Sequence, residues 1–116
     1  MIKAVVIDDE QHCIDRLLSL LQGYCSEIIT VQGTFQSIES GLAGIRKLQP
    51  EVVFLDVQLH DKTGFDLLSS LKDIHFEIIF TTAYEKYAVQ AFKFSAIEYL
   101  LKPIDFYNIL CYTIIS

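Results

Sequence analysis

The spacing of apolar residues switches between two periods along the chain. Ala4–Ile7 is an unbroken apolar run ending at Asp8-Asp9-Glu10, the pattern of a strand buried on both faces. Ile14, Leu17, Leu18 and Leu21 then fall at i, i+3, i+4 and i+7, predicting an amphipathic helix stopped near Gly23. Glu27–Val31 reads as a second strand. Ser37 can cap a second helix whose inward face is Ile38, Gly41, Leu42 and Ile45, with Gly41 and Gly44 weakening it. After Pro50, the run Val52–Leu55 predicts a third buried strand, ending on Asp56.

A polar loop is expected over Gln58–Thr63, and Gly64 precedes a helix with Leu67, Leu68 and Leu71 on one face. Phe76–Thr81 reads as strand four. Lys86–Phe94 reads as a helix with Ala88, Ala91 and Phe92 inward. Ile97–Leu101 reads as strand five, broken by Lys102-Pro103, and Asp105 can cap a last helix carrying Phe106, Ile109, Leu110 and Thr113 on one side. Alternation of this kind predicts an α/β fold, a doubly wound parallel five-stranded (βα)5 sheet in three layers, since each parallel crossover needs a helix's worth of chain.

Composition narrows what such a fold could do. At 116 residues, 52% hydrophobic and 21% charged, the chain is one domain with a single core. A net charge of −6 with nine Lys and Arg argues against direct contact with nucleic acid. Cys13, Cys25 and Cys111 are far apart, indicate neither a zinc site nor a disulfide framework, and read as reduced thiols of a cytoplasmic protein. No signal peptide or membrane-spanning run is expected.

In a parallel sheet every strand ends at the same edge. That edge collects Asp8 and Asp9 from strand one, Asp56 from strand three, Thr81, Thr82 and Ala83 from strand four, and Lys102 from strand five. Crowded carboxylates either raise one another's pKa or gather a hard divalent cation, Mg2+ fitting best. A lysine and a hydroxyl facing them can neutralise phosphoryl oxygens, and an aspartate can accept a phosphoryl group as an acyl phosphate. Taken singly, each residue has a plainer reading: Asp56 a loop cap, Lys102 a solvated strand end, Thr82 a hydroxyl satisfied by backbone, and Tyr99 part of the core.

Taken together and in order, Asp8-Asp9, Asp56, Thr82-Ala83 and Lys102-Pro103 resemble the receiver domain of two-component response regulators over essentially the whole chain. The segment from Ala91 to Pro103, with Thr82-Ala83-Tyr84 before it, is most similar to receivers of the LytR/AlgR type, which usually precede a LytTR DNA-binding domain. The resemblance implies a flavodoxin-like sheet of strand order 2-1-3-4-5, with Asp56 as phosphoacceptor for a sensor histidine kinase. It implies Mg2+ held by Asp9, Asp56 and the backbone carbonyl of Gln58, with Asp8 acting through a metal-bound water. Lys102 would pair with the phosphoryl oxygens before a cis bond to Pro103, Thr82 would move toward them beside Ala83, and Tyr99 would swing inward. The face of helix four, strand five and helix five would then change, and a homodimer is expected there.

Two departures from the resembled pattern carry weight. His60 stands four residues after Asp56, where the family often has proline, which predicts a wetter, more flexible loop; His12, His60 and His75 show no metal-ligand spacing. Gln58 stands where phosphohydrolases of the haloacid dehalogenase type need a general acid-base, and an amide cannot fill that role. The reading is therefore a signalling phosphoacceptor and not an enzyme, with a phosphate-independent interaction module as the alternative and a phosphohydrolase behind it. The last helix is apolar nearly all round, so something is expected to cover it. The chain is expected to be a receiver cut from a longer regulator, a stand-alone receiver being the other possibility.

Overall fold

The computed structural model describes residues 1–104. In chain order its elements are β1 (Ile2–Ile7), α1 (Gln11–Tyr24), β2 (Ile29–Phe35), α2 (Ile38–Leu48), β3 (Val52–Asp56), β4 (Gln58–Leu59), β5 (Lys62–Thr63), α3 (Gly64–Ser69), β6 (Glu77–Thr82), a 3-10 turn (Glu85–Tyr87), α4 (Ala88–Phe92) and β7 (Glu98–Leu101). Five strands form one sheet in the order β2-β1-β3-β6-β7, with every neighbouring pair parallel. This is the expected 2-1-3-4-5 flavodoxin-like arrangement, with the small β4–β5 hairpin standing outside it.

Alternate residues of the inner strands serve opposite faces. Ala4, Val6, Phe54 and Ile79 pack with Ile14, Leu17 and Leu21 of α1, whereas Val5, Ile7, Val53, Leu55 and Phe80 pack with Ile45, Leu67, Leu68 and Ala91 from α2, α3 and α4. All five residues of β3 are buried, as its position at the middle of the sheet requires. Helix α2 tolerates its glycines because they permit close packing on the sheet: a Cβ at Gly41 would lie 2.9 Å from the Ile7 side chain, and one at Gly44 would lie 2.2 Å from the Phe35 ring. Ser37 caps α2 by accepting a hydrogen bond from the Ser40 backbone N–H, with the reciprocal bond also made.

Several expectations are corrected. Strand two runs over Ile29–Phe35, not Glu27–Val31. Its register against β1 jumps from Val31 to Gly33, so Gln32 is a bulge residue. Helix α1 ends near Gly23 as expected, at Tyr24. The expected loop over Gln58–Thr63 is an antiparallel hairpin, Gln58 paired with Thr63 and Leu59 with Lys62. Helix four is shorter than expected; Ala91 is its buried residue, as expected, with Tyr87 before it and Phe94 after it half-buried against the same core, while Phe92 is 84% exposed and Ala88 is exposed too. Cys25 is buried and disulfide-bonded, contrary to the reading of three reduced thiols; Cys13 is free. Among the described residues no helix is long and apolar enough to cross a membrane. The last helix expected from Asp105, with Phe106, Ile109, Leu110 and Thr113, lies outside the described residues.

Candidate functional site

Because the strands run parallel, their C-terminal ends bring the singled-out side chains together. Asp8 follows β1, Asp56 ends β3, Thr82 ends β6 and Lys102 follows β7. Asp8 and Asp56 are each 4% exposed and Thr82 is fully buried. The Lys102 ammonium lies between the two acids, its Nζ 2.8 Å from Asp8 Oδ2 and 3.0 Å from Asp56 Oδ2. Its backbone is fixed too, since the Lys102 N–H donates to the Thr82 carbonyl at 2.8 Å. The Lys102–Pro103 peptide bond is cis.

A backbone N–H holds one oxygen of each acid as well. Asp56 Oδ1 accepts from the Gln58 N–H at 3.1 Å, Asp8 Oδ1 from the Glu10 N–H at 2.9 Å, and Asp9 Oδ2 from the His60 N–H at 3.2 Å. That last bond ties the tip of the β4–β5 hairpin to the acids, and His60 makes it from a left-handed backbone conformation with φ 59°. Below Asp56 the chain closes tightly: the Gly64 N–H donates to the Val57 carbonyl at 2.7 Å. Thr63 then caps α3 in a reciprocal capping box with Asp66.

Electrostatics follow from this burial. Asp56 has its pKa pushed up to about 7 by burial first and by the Asp8 charge second, with Lys102 and the Gln58 N–H pulling the other way. Burial works against the Lys102 charge, but its hydrogen bonds and ion pairs with Asp8 and Asp56 win and hold the amine above its usual range. Burial raises the Cys13 thiol, with Lys102 working the other way, which disfavours the thiolate.

Asp8, Asp9 and Glu10 each offer a carboxylate oxygen within 4.8 Å of the others. Such an all-oxygen donor set suits a hard divalent cation better than a thiophilic one. Glu10 was not singled out in the sequence reading; its signal was its place as third of three consecutive acids. Glu10 also stands within that distance of donor atoms of His12 and Cys13, so His12 has metal-ligating neighbours that its spacing from the other histidines did not suggest. A cleft of about 150 Å3 opens beside the acceptor acid, lined by Asp9, Glu10, Asp56, Gln58, Thr82 and Lys102 among others.

Farther from the acids, the Thr82 hydroxyl accepts from the Tyr84 N–H at 3.2 Å, and Ala83 is exposed at the cleft. Tyr99 is half-buried on β7, and its hydroxyl donates to the Tyr84 carbonyl. The Gln58 side chain makes a contact that its sequence position did not foretell, its amide donating to the Tyr87 hydroxyl at 2.7 Å.

Residues 4–112 match the family described as the response regulator receiver domain. The chain is 39% identical over 107 residues to the sensory transduction protein LytT of Bacillus anthracis, covering 90% of this chain and 43% of that one. It is 37% identical over 106 residues to the transcriptional regulatory protein BtsR of Escherichia coli, covering 90% of this chain and 44% of that one. The chain thus spans less than half the length of these curated relatives. Among solved structures, the response regulatory domain of mrkE from Klebsiella pneumoniae superposes with a TM-score of 0.83 at 24% identity, over 97% of this chain and 91% of that one. The signal receiver domain of the putative response regulator NarL from Mycobacterium tuberculosis does so with a TM-score of 0.79 at 19% identity, over 92% and 88%. These two likenesses concern the fold alone.

Proposed function

Since the chain belongs to the response regulator receiver domain family, we propose that it is a phosphorylation-driven switch in which Asp56 takes a phosphoryl group from the phosphohistidine of a sensor histidine kinase. The observation that carries this reading is the Lys102 ammonium standing 3.0 Å from Asp56 Oδ2 at the floor of an acid-lined cleft. An Asp56 oxygen attacks phosphorus, the bond from phosphorus to the histidine nitrogen breaks, and its electron pair returns to the imidazole. Lys102, no longer opposite a free carboxylate, pairs with the new phosphoryl oxygens. The Thr82 hydroxyl, released from the Tyr84 N–H, donates to another.

The donor chemistry fits Mg2+. Asp8, Asp9 and Asp56 with the Gln58 carbonyl would hold it, and Glu10 stands beside them. A bound Mg2+ would neutralise the charge that gathers on the phosphoryl oxygens during transfer. Among the chain's own residues, Asp8 holds Lys102 in place, and the His60 N–H keeps Asp9 turned toward the cleft.

The output would run through Thr82 and Tyr99 to the outer face of α4 and β7, where Val89 and Phe92 are 76% and 84% exposed. A homodimer through that face is the proposed consequence, in a cytoplasmic regulator whose DNA contacts belong to a LytTR domain outside this chain. The share of LytT and BtsR left unmatched supports that organisation. The chain would catalyse only its own phosphorylation and dephosphorylation.

The decisive experiment is intact mass after incubation with a small phosphodonor, with and without Mg2+, for the native chain and for Asp56→Ala. A single phosphoryl addition that needs the metal and is lost in the variant is the expected result. No addition under any condition would overturn the proposal and leave a phosphate-independent interaction module in its place.

A further inference from the structure

Gln58 is fastened at both ends. Its backbone N–H donates to Asp56 Oδ1 at 3.1 Å, and its side-chain amide donates to the Tyr87 hydroxyl at 2.7 Å. Tyr87 is itself held by rings: its centroid lies 6.2 Å from that of Phe65 and 6.1 Å from that of Tyr84 in an edge-on contact. Phe65 stacks on Phe94 at 5.6 Å and lies 5.1 Å from Phe80, so the Tyr87 ring packs at the edge of an aromatic cluster shared by α3, β6 and the segment after α4. The carboxamide beside the acceptor acid is therefore tied to the segment that leads into α4.

We infer that Tyr87 is a positioning residue that lengthens the life of a phosphoryl group on Asp56 by holding the Gln58 side chain away from the hydrolytic path. This rests on the function proposed above. Hydrolysis requires a water oxygen to bond to phosphorus while the bond from phosphorus to the Asp56 oxygen breaks, its electron pair returning to the carboxylate. The water's surplus proton leaves with the inorganic phosphate or to solvent. An amide cannot take that proton, but a free Gln58 carbonyl oxygen can accept a hydrogen bond from the water and aim it in line. While the amide nitrogen is committed to Tyr87, the carboxamide cannot swing over the phosphoryl group. Displacement of the 3-10 turn and α4 would release it, linking the output segment to loss of the signal.

The test is a double-mutant cycle in the full chain. Tyr87→Phe removes one oxygen and keeps the ring against Phe65 and Tyr84. Phosphoryl lifetime is followed by intact mass after the phosphodonor is removed, for the native chain, Tyr87→Phe, Gln58→Ala and the double variant. Tyr87→Phe is expected to shorten the lifetime about fivefold, the factor controlled by one neutral hydrogen bond, and to have no effect when Gln58 is already alanine. A second readout needs no phosphate: the Gln58 side-chain amide protons, seen by NMR in the unphosphorylated chain, should exchange more slowly than in Tyr87→Phe. An unchanged lifetime, or the same change in the Gln58→Ala background, overturns the inference. If the native chain accepts no phosphoryl group, the proposed function falls separately, and an amide signal indifferent to Tyr87→Phe overturns the latch itself.

Discussion

Gly64 lies against the backbone of Asp56 so closely that a Cβ at position 64 would stand 2.5 Å from the Asp56 carbonyl oxygen and 2.9 Å from Leu55 Cγ. The turn that lets α3 begin there is thus part of what aims Asp56. Gly64→Ala must displace either β3 or α3, because the nearer atom belongs to the backbone and cannot rotate away. The expected cost is about 2 kcal/mol, the usual range for an overpacked core, together with slower phosphorylation of Asp56. Denaturant titration and phosphodonor kinetics check both. A variant with native stability would show that this approach is not tight in solution.

The acceptor acid makes the stability of the chain depend on pH. The folded-state pKa of Asp56 is raised to about 7 from 3.8, through burial and the Asp8 charge. A raised pKa means that the folded chain holds a proton which the unfolded chain has lost. Its contribution to stability is fully present below the unfolded value and is lost as pH rises through the folded value. In the metal-free chain, stability should therefore fall between about pH 4 and pH 7 by an amount on the order of a few kcal/mol attributable to Asp56. Asp56→Asn removes that share, so the variant should be the more stable of the two at pH 8, with the gap closing on acidification. Urea midpoints measured in chelator across this range check it. Parallel curves for the two chains would mean that Asp56 is not under this strain.

The inner strands were legible because nothing competes with their signal. Val52–Leu55 and Ile78–Phe80 are apolar without interruption and buried without exception. Edge strand β2 alternates burial with exposure along Ile29–Phe35, but beyond Val31 its inward positions are Gly33 and Phe35, and a glycine gives no apolar signal by which to extend the strand. Helix four was misphased because two apolar stripes of helical period overlap there, Ala88, Ala91 and Phe92 on one and Tyr87, Ala91 and Phe94 on the other. The packed stripe is the second, with Ala91 buried and Tyr87 and Phe94 half-buried, leaving Phe92 outside.

The acids and Lys102 were legible for a topological reason, since parallel strands deliver their last residues to one edge whatever the details of packing. What pairs with what at that edge was not. No spacing rule places the Gln58 amide on a tyrosine 29 positions later, or the backbone N–H of His60 on Asp9. Both depend on how the hairpin folds back, and the hairpin itself read only as a polar loop.

The tip of that hairpin bears on both stability and metal binding. His60 has φ 59°, which the proline ring cannot adopt, and its N–H, which proline lacks, is the group that donates to Asp9 Oδ2. The departure from the resembled family's frequent proline and the presence of a paired β4–β5 hairpin are therefore two aspects of one local geometry. His60→Pro is expected to lose more than about 1 kcal/mol of stability and to weaken Mg2+ binding, because Asp9 is no longer turned toward the cleft. His60→Gly accepts the left-handed conformation and keeps the N–H, so it should leave both properties near native. Its lost imidazole, 71% exposed and 3.6 Å from Asp9 Oδ2, contributes little at such exposure. Calorimetric titration with Mg2+ and denaturant midpoints for the two variants separate backbone from side chain. Equal losses in both would assign the role to the imidazole, and no loss in His60→Pro would mean that the hairpin tip does not hold Asp9.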